Sequence, residues 1–215
     1  MSLGYSQVLR SGLIVMASDR RSITPSASSY HNVQKQFVTR HNIGVTVGGA
    51  GMNSFLTGHL PELIATIDVE KYRTPFDVTK YLVEQARNHD PTRNEIVFFV
   101  GGHDLAGLKP KPLLYEARTR CTTKISKTWK DGITLVNNGQ RIGDIAAGAA
   151  YEKFNSEIIA PNINKIINSN LKGVVDFILW AKNRARELHS DPEAISDEMD
   201  ILAIYHDRHE WIQGR

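Results

Sequence analysis

The stretch SGLIVMASDRRS, residues 11–22, changes character halfway along its length. Its first half is an unbroken apolar run from Leu13 to Met16, which is typical of a strand buried in a core. Its second half places a carboxylate, Asp19, and two guanidiniums directly after that run. Either the strand leaves the core and its charges are solvated, or the strand delivers Asp19 to a functional site. The rest of the sequence is needed to decide between these interpretations.

The bulk composition is that of an ordinary soluble globular protein. The chain has 215 residues with a formal net charge of +3, and we expect one domain spanning residues 1–215. The basic residues are scattered, so nucleic-acid binding is not expected. No stretch approaches the roughly 20 apolar residues of a membrane span, and the N-terminus does not resemble a secretory signal. We therefore expect a cytoplasmic protein without a membrane partner, in which the single cysteine, Cys121, has a structural role.

Strand signals dominate the first fifty residues. Two hairpins are predicted, the first from strands 5–10 and 13–18 and the second from strands 33–39 and 42–48. The intervening residues 19–32 are polar and contain Pro25, so they are predicted to form a loop.

Helical periodicity begins after residue 48 and alternates with further strand signals. Helices are predicted at 53–67, 76–88, 142–156 and 171–189. Strands are predicted at 95–102, 112–119, 122–129, 132–138, 199–207 and 210–212. Pro61 should shorten or kink the first helix, and residues 157–170 give no clear prediction. Groups of hairpin-linked strands followed by paired helices favour two antiparallel sheets with helices outside them.

This order of elements, together with particular residues, resembles the proteasome β-type branch of the N-terminal nucleophile (Ntn) hydrolases. Asp19 and Lys35, in VQKQF, are sixteen positions apart, which matches the spacing of that family's catalytic acid and lysine. IGVTVGGAGMNS, residues 43–54, resembles the family's glycine turn into its first helix, and EIVFFVGGHD with PLLYEART resembles the hairpin that follows. The resemblance covers most of 5–119 and 171–212, whereas 120–170 match poorly. It implies an α+β fold, a four-layer αββα sandwich of two antiparallel sheets flanked by helices.

The resemblance also implies a chemistry that can be argued from the groups themselves. An Ntn hydrolase activates the hydroxyl of its first residue with the α-amine of that same residue. A neighbouring lysine lowers the pKa of the amine and stabilises negative charge, and a carboxylate keeps the lysine charged. Asp19 and Lys35, expected on adjacent strands of one sheet, would form this pair; the alternative is a structural ion pair at a sheet edge. Gly48 and Gly49 would supply backbone N–H groups to an oxyanion, or would simply form a tight turn.

The nucleophile is the least defined part of this prediction, because no threonine lies near the N-terminus. Counting back from Gly12 places the nucleophile at Ser2, whereas counting back from Asp19 places it at Leu3. Only Ser2 carries a hydroxyl, and its amine becomes free only if Met1 is removed. The candidate catalytic residues are therefore Ser2, Asp19, Lys35, Gly48 and Gly49.

Two classes of function remain open. The first is an Ntn-type peptidase or amidase that cleaves a peptide or small amide substrate. The second is a catalytically silent homologue that serves as an assembly or binding scaffold, as proteasome α-type subunits do. Under either interpretation we expect a homo-oligomer, with the helices at 53–67 and 76–88 as the contact surface. We expect no cofactor and no metal, because the histidines lack ligand spacing, and the sequence says nothing of an ATP-dependent unfoldase.

Overall fold

The computed structural model describes residues 3–24, 29–49, 59–68, 70–89, 96–119, 133–135, 141–142, 153, 155–189 and 191–214. Its strands are β1 (Gly4–Val8), β2 (Ile14–Asp19), β3 (Arg21–Thr24), β4 (Ser29–Asn32), β5 (Gln36–Val38), β6 (Gly44–Gly48), β7 (Val97–Asp104), β8 (Lys111–Arg118), β9 (Ile133–Leu135), β10 (Arg141–Ile142), β11 (Met199–Ile204) and β12 (His209–Gln213). The α-helices in these ranges are α1 (Leu60–Thr66), α2 (Pro75–His89), α3 (Ile163–Ile167) and α4 (Leu171–Leu188). None of these helices combines the length and the apolarity of a bilayer-spanning segment.

The first five-stranded sheet is antiparallel and has the strand order β10-β1-β2-β11-β12. At its centre is the predicted hairpin of β1 and β2, in which Tyr5 pairs with Ala17. Its tight turn contains Gly12 at φ +86°, a conformation that glycine adopts without steric cost. The turn is closed by a hydrogen bond of 2.9 Å from the Gly12 amide to the Leu9 carbonyl.

The second five-stranded sheet is also antiparallel, with the order β5-β6-β7-β8-β9. The predicted second hairpin, β5 and β6, forms one edge of it and turns through Asn42 at φ 56°. Asparagine tolerates this left-handed conformation better than most residues. Both predicted hairpins are therefore confirmed.

The prediction of a loop over residues 19–32 is wrong. Residues Arg21–Thr24 and Ser29–Asn32 pair as a separate two-stranded antiparallel sheet, in which Arg21 faces Asn32 and Ser22 faces His31. Polarity indicates solvent contact, but a backbone ladder needs no apolar side chains. The segment is therefore an ordered hairpin in its described part, and it connects the two large sheets along the chain.

The two helices predicted at 76–88 and 171–189 are confirmed by α2 and α4. Of the helix predicted at 53–67, residues 53–58 lie outside the described residues, and the helix begins at Leu60 after its N-cap His59 and ends at Thr66. Pro61 lies in the first turn of α1, where its missing N–H breaks no intrahelical bond. Residues 157–170, for which no prediction was made, contain the end of a π-helical turn (Asn155–Ile159), a 3₁₀ turn (Ala160–Asn162) and α3.

The strand predictions in the second half of the chain are confirmed where the structure describes them. The strands β7, β8, β9, β11 and β12 correspond to the predicted runs. The run at 122–129 lies outside the described residues, as does Cys121. The helix predicted at 142–156 is wrong at its first residue, because Arg141–Ile142 extends the first sheet beside β1 as β10. Residues 143–152 and 154 also lie outside the described residues.

The apolar core has three parts. One cluster joins the first sheet to α4 and includes Val15 and Ile178, and another joins the second sheet to α1 and α2 and includes Val45 and Leu82. The third cluster takes its buried members from both sheets: Ile14, Met16, Phe99, Leu202 and Ile204. The two sheets thus share one buried cluster, and each sheet also shares a cluster with helices.

The two sheets approach each other closely at Gly44 of β6. A Cβ atom at this position would lie 2.5 Å from Ile204 Cδ1 and 2.8 Å from Met16 Sδ, closer than Cβ contacts allow. Gly48 lies four residues further along β6, yet no heavy atom of a described residue lies within 4 Å of its corresponding Cβ position. The described residues of the two sheets are therefore tightly packed at one end of β6 and leave open space at the other.

Gly44→Ala should lower the free energy of unfolding by about 1–3 kcal/mol, because the added methyl overpacks the contact between the sheets. Gly48→Ala is the matched control on the same strand and should change stability by less than about 1 kcal/mol. Urea denaturation of both variants checks this. Equal losses in the two variants would contradict the packing described here.

Candidate active site

Asp19 is the last residue of β2, and its side chain is fully buried. The Leu3 amide donates a hydrogen bond of 2.8 Å to Asp19 Oδ1, and the Asp19 amide donates one of 2.9 Å to the Leu3 carbonyl. Because Gly4 pairs with Ser18, Leu3 lies directly opposite Asp19 at the start of β1. The carboxylate is therefore fixed against the first described residue of the chain.

Lys35 provides the countercharge to Asp19. Its Nζ atom lies 2.8 Å from Asp19 Oδ1, and both side chains are 0% exposed. The same ammonium donates to the Arg21 carbonyl. The Lys35 carbonyl accepts a hydrogen bond of 3.0 Å from the Val47 amide, which fixes the lysine backbone against β6. The predicted charge pair is confirmed, whereas its catalytic role remains a prediction.

The expectation that the pair lies on adjacent strands of one sheet is wrong. Asp19 ends a central strand of the first sheet, whereas Lys35 directly precedes β5, an edge strand of the second sheet. The hairpin of β3 and β4 separates the two residues in sequence and moves the chain from one sheet to the other. The ion pair therefore joins the two sheets, which a pair within one sheet would not do.

Two further backbone amides donate to the other oxygen of Asp19. Oδ2 accepts from the Arg21 amide at 3.0 Å and from the Ser196 amide at 3.4 Å. Ser196 lies between α4 and β11, and the sequence analysis missed its part in the site. Any residue except proline supplies a backbone N–H, so no signal in the sequence marks such a donor.

Burial lowers the pKa of the Lys35 ammonium below its ordinary value of 10.5, and the neighbouring Asp19 carboxylate opposes this shift. Desolvation favours the neutral amine, whereas the negative charge favours the ammonium. The site thus holds a lysine that gives up its proton more readily than a surface lysine does.

The two arginines that follow Asp19 are both paired with acids. Arg20 contacts the buried Asp200 carboxylate, with Nη2 to Oδ1 at 2.6 Å. Arg21 lies 3.9 Å from Glu193 and over the ring of Tyr30, at 5.6 Å from its centroid. Asp19, Arg20 and Arg21 thus each have an oppositely charged partner, and Asp19 is fully buried, which decides against the simple solvated strand end.

The structure places Gly48 and Gly49 directly after Val47, the residue that binds the Lys35 backbone. Gly49 has φ +97°, in the left-handed region that favours glycine. Residues 50–58 lie outside the described residues, so the turn into a helix after these glycines is not described. Ser2 lies outside them as well. Leu3 is the first described residue at the N-terminus, and its backbone contacts the ion pair.

No group of three or more histidine, cysteine, aspartate or glutamate side chains is arranged to hold a metal ion within the described ranges. The histidines come together only in pairs there; the rings of His59 and His89, for example, have centroids 4.0 Å apart. Sequence spacing gave no sign of this pair, because thirty positions separate its members.

Comparison with known structures defines the class of fold. The chain is similar to a bacterial proteasome-like protein with the Ntn-hydrolase fold. That protein is the Anbu (Gly-1) mutant from Hyphomicrobium sp. strain MC1, with a TM-score of 0.56 and 13% sequence identity over 99% of this chain and 87% of the other. A likeness at this identity shows the fold alone. No family model matches the sequence, and no curated protein matches it.

Lys35→Met should lower the free energy of unfolding by about 3–5 kcal/mol, because it leaves the buried Asp19 carboxylate without its countercharge. Adding Asp19→Asn to Lys35→Met should recover part of that loss, since the neutral amide needs no cation. Urea denaturation of both single variants and the double variant measures this coupling. Strictly additive losses would show that the two side chains do not interact in solution.

Asp19→Asn should lower the pKa of Lys35 further, because it removes the charge that opposes desolvation. The folded state then releases this proton at a lower pH than the unfolded chain does, so stability rises with pH in the window just below 10.5. NMR titration of the Lys35 side chain measures the shift directly. A Lys35 pKa that rises in Asp19→Asn would contradict the electrostatics described here.

Proposed function

We propose that this chain is a proteasome-like Ntn hydrolase, built as a single four-layer αββα domain, that cleaves peptide or small amide bonds through Ser2. The observation that supports this proposal best is the buried pair of Lys35 and Asp19 against the Leu3 backbone. Ser2 is covalently joined to Leu3, so its hydroxyl and its amine belong to the residue next to the one that contacts the pair. Removal of Met1 would free that amine.

The groups around the pair suit this chemistry. A lysine ammonium has three N–H donors, and Asp19 and the Arg21 carbonyl accept two of those of Lys35. The third would face the Ser2 oxygen and stabilise it as it attacks. The free Ser2 amine would take the hydroxyl proton and pass it to the leaving amine, and an ester to Ser2 forms as the C–N bond breaks. Water then cleaves the ester and restores the hydroxyl.

The backbone N–H groups of Gly48 and Gly49 would donate hydrogen bonds to the negatively charged oxygen that forms in that reaction. Backbone N–H groups stabilise an oxyanion best when they are fixed before the reaction. The left-handed φ of Gly49 turns the chain at this point, and open space lies beside Gly48. Such space would admit the carbonyl group of a substrate, which a side chain at the same position would exclude.

The second candidate function is a catalytically silent scaffold, and one observation favours it. The residue opposite Asp19 is Leu3, whose peptide nitrogen cannot act as a base and whose side chain is apolar and buried. In this case the ion pair serves only to join the two sheets, and the chain acts through assembly or binding.

Hydrolysis of small fluorogenic peptides separates the two candidates, using protein whose N-terminus has been sequenced. Lys35→Ala and Ser2→Ala should each abolish hydrolysis, because the first removes the charge that stabilises the nucleophile and the second removes the nucleophile. Lys80→Ala, on α2, is the control for a lysine outside the site and should keep full activity. Circular dichroism of each variant is the control that checks whether it is folded.

The decisive negative result is a preparation with a free Ser2 amine that neither cleaves any substrate nor gains mass from a hydroxyl-directed covalent inhibitor. The scaffold function would then replace the hydrolase.

We also propose that the protein self-associates through the helices α1 and α2. Phe76 of α2 is 42% exposed, and Phe76→Lys should reduce the mass measured by light scattering. Trp180 of α4 is exposed to a similar extent, at 44%, so Trp180→Lys is the matched control and should leave the mass unchanged. A wild-type monomer at micromolar concentration would contradict self-association.

A further inference from the structure

The layer between the two large sheets has an apolar half and a polar half. The apolar half is the cluster around Met16, Phe99 and Leu202. Because side chains alternate along a strand, Ser18 continues β2 on the same face as Met16. On the facing sheet, Gln36 pairs with Thr46, which in turn pairs with Phe99. Apolar side chains normally fill a layer between packed sheets, so its polar half needs an explanation.

Three side chains in this polar half are fully buried and carry atoms without a partner. Ser6, Ser18 and Gln36 are 0%, 1% and 0% exposed. Neither serine Oγ forms a hydrogen bond with any described residue, and neither does Gln36 Oε1. The Nε2 atom of the same glutamine reaches Thr46 Oγ1 at 3.4 Å, which fixes the side chain within the layer. Ser6 lies diagonally from Ser18 across the β1–β2 ladder.

Burying these atoms without any hydrogen bond would cost folding free energy. A buried hydroxyl or amide oxygen without a hydrogen bond loses its interaction with water and gains nothing in return. Native structures satisfy nearly all such groups with protein atoms or with ordered water. Buried water typically makes about three hydrogen bonds to polar groups of this kind.

We propose that the polar half of the layer between the sheets is an internal hydration site, in which ordered water binds Ser6 Oγ, Ser18 Oγ and Gln36 Oε1. Hydroxyls can both donate and accept, whereas an amide oxygen accepts, and water is the small molecule that satisfies both types. The charged groups nearby already have partners: Arg20 binds Asp200, and Arg118 binds Glu116. An ion is therefore not required to balance the site, and a neutral ligand fits its chemistry.

The position of this site relates it to the ion pair. Ser18 directly precedes Asp19, and Gln36 directly follows Lys35. Gly48, whose Cβ position has no heavy atom of a described residue within 4 Å, lies on the same side of β6 as Thr46. The inference holds whether the chain is a hydrolase or a scaffold, because it depends on buried polar atoms and not on a reaction.

Water-selective NOE spectroscopy of the full-length protein tests the proposal. The amides of Ser18 and Gln36 should show cross-peaks to slowly exchanging water. The amides of Ile14 and Leu202 are the internal control, since they belong to the apolar half of the same layer, and should show none. Absence of water contacts at both Ser18 and Gln36 would overturn the hydration site.

The sign of a stability change gives an independent test. Ser18→Ala should lower the urea midpoint of unfolding if the hydroxyl binds water, because the variant loses those hydrogen bonds. It should raise the midpoint if the hydroxyl is dry, because a methyl group then replaces an unsatisfied polar group. Ser6→Ala repeats the comparison on the neighbouring strand. An increase in the midpoint of both variants would refute the proposal.

Discussion

The buried ion pair between Asp19 and Lys35 joins the two large sheets of this structure. Asp19 ends a strand of one sheet, Lys35 precedes a strand of the other, and neither side chain reaches solvent. Such a pair is tolerated only where hydrogen bonds satisfy both partners. Three backbone amides and the Arg21 carbonyl provide them. The start of β1, the β3–β4 hairpin and the segment before β11 must therefore all converge on this point.

The architecture around this contact follows from local signals that the sequence carries plainly. An unbroken apolar run marked β2 in the first hairpin, and alternation predicted the second. The 3.6-residue periodicity predicted α2 and α4, because each of these helices buries one face. The hairpin of β3 and β4 could not be predicted in this way. Its strands are short and mostly polar, and the single pair of Ile23 with Tyr30 is too little alternation to predict a strand.

The candidate site was predictable in part. The spacing of Asp19 and Lys35 identified the pair, but spacing along a chain does not say which sheet each residue joins, and so the bridge between sheets was missed. The Ser196 amide could not be found, since a backbone donor leaves no signature in side-chain chemistry. Counting back from Gly12 and from Asp19 gave nucleophile positions that differ by one residue. The register that pairs Gly4 with Ser18 places Leu3 opposite the acid, Asp19. If the chain is a hydrolase as proposed, the hydroxyl of Ser2 would have to reach the ammonium from the neighbouring position.

The distance between the Ser2 hydroxyl and the Lys35 ammonium can be measured directly. A crystal structure of the protein with Met1 removed gives the distance from Ser2 Oγ to Lys35 Nζ. A catalytic site predicts hydrogen-bond distance, about 2.6–3.2 Å, with the free amine of Ser2 on the same side. A Ser2 hydroxyl directed away from Lys35, with the Leu3 side chain closing the approach, would contradict the assignment and leave the ion pair as the structural link between two sheets.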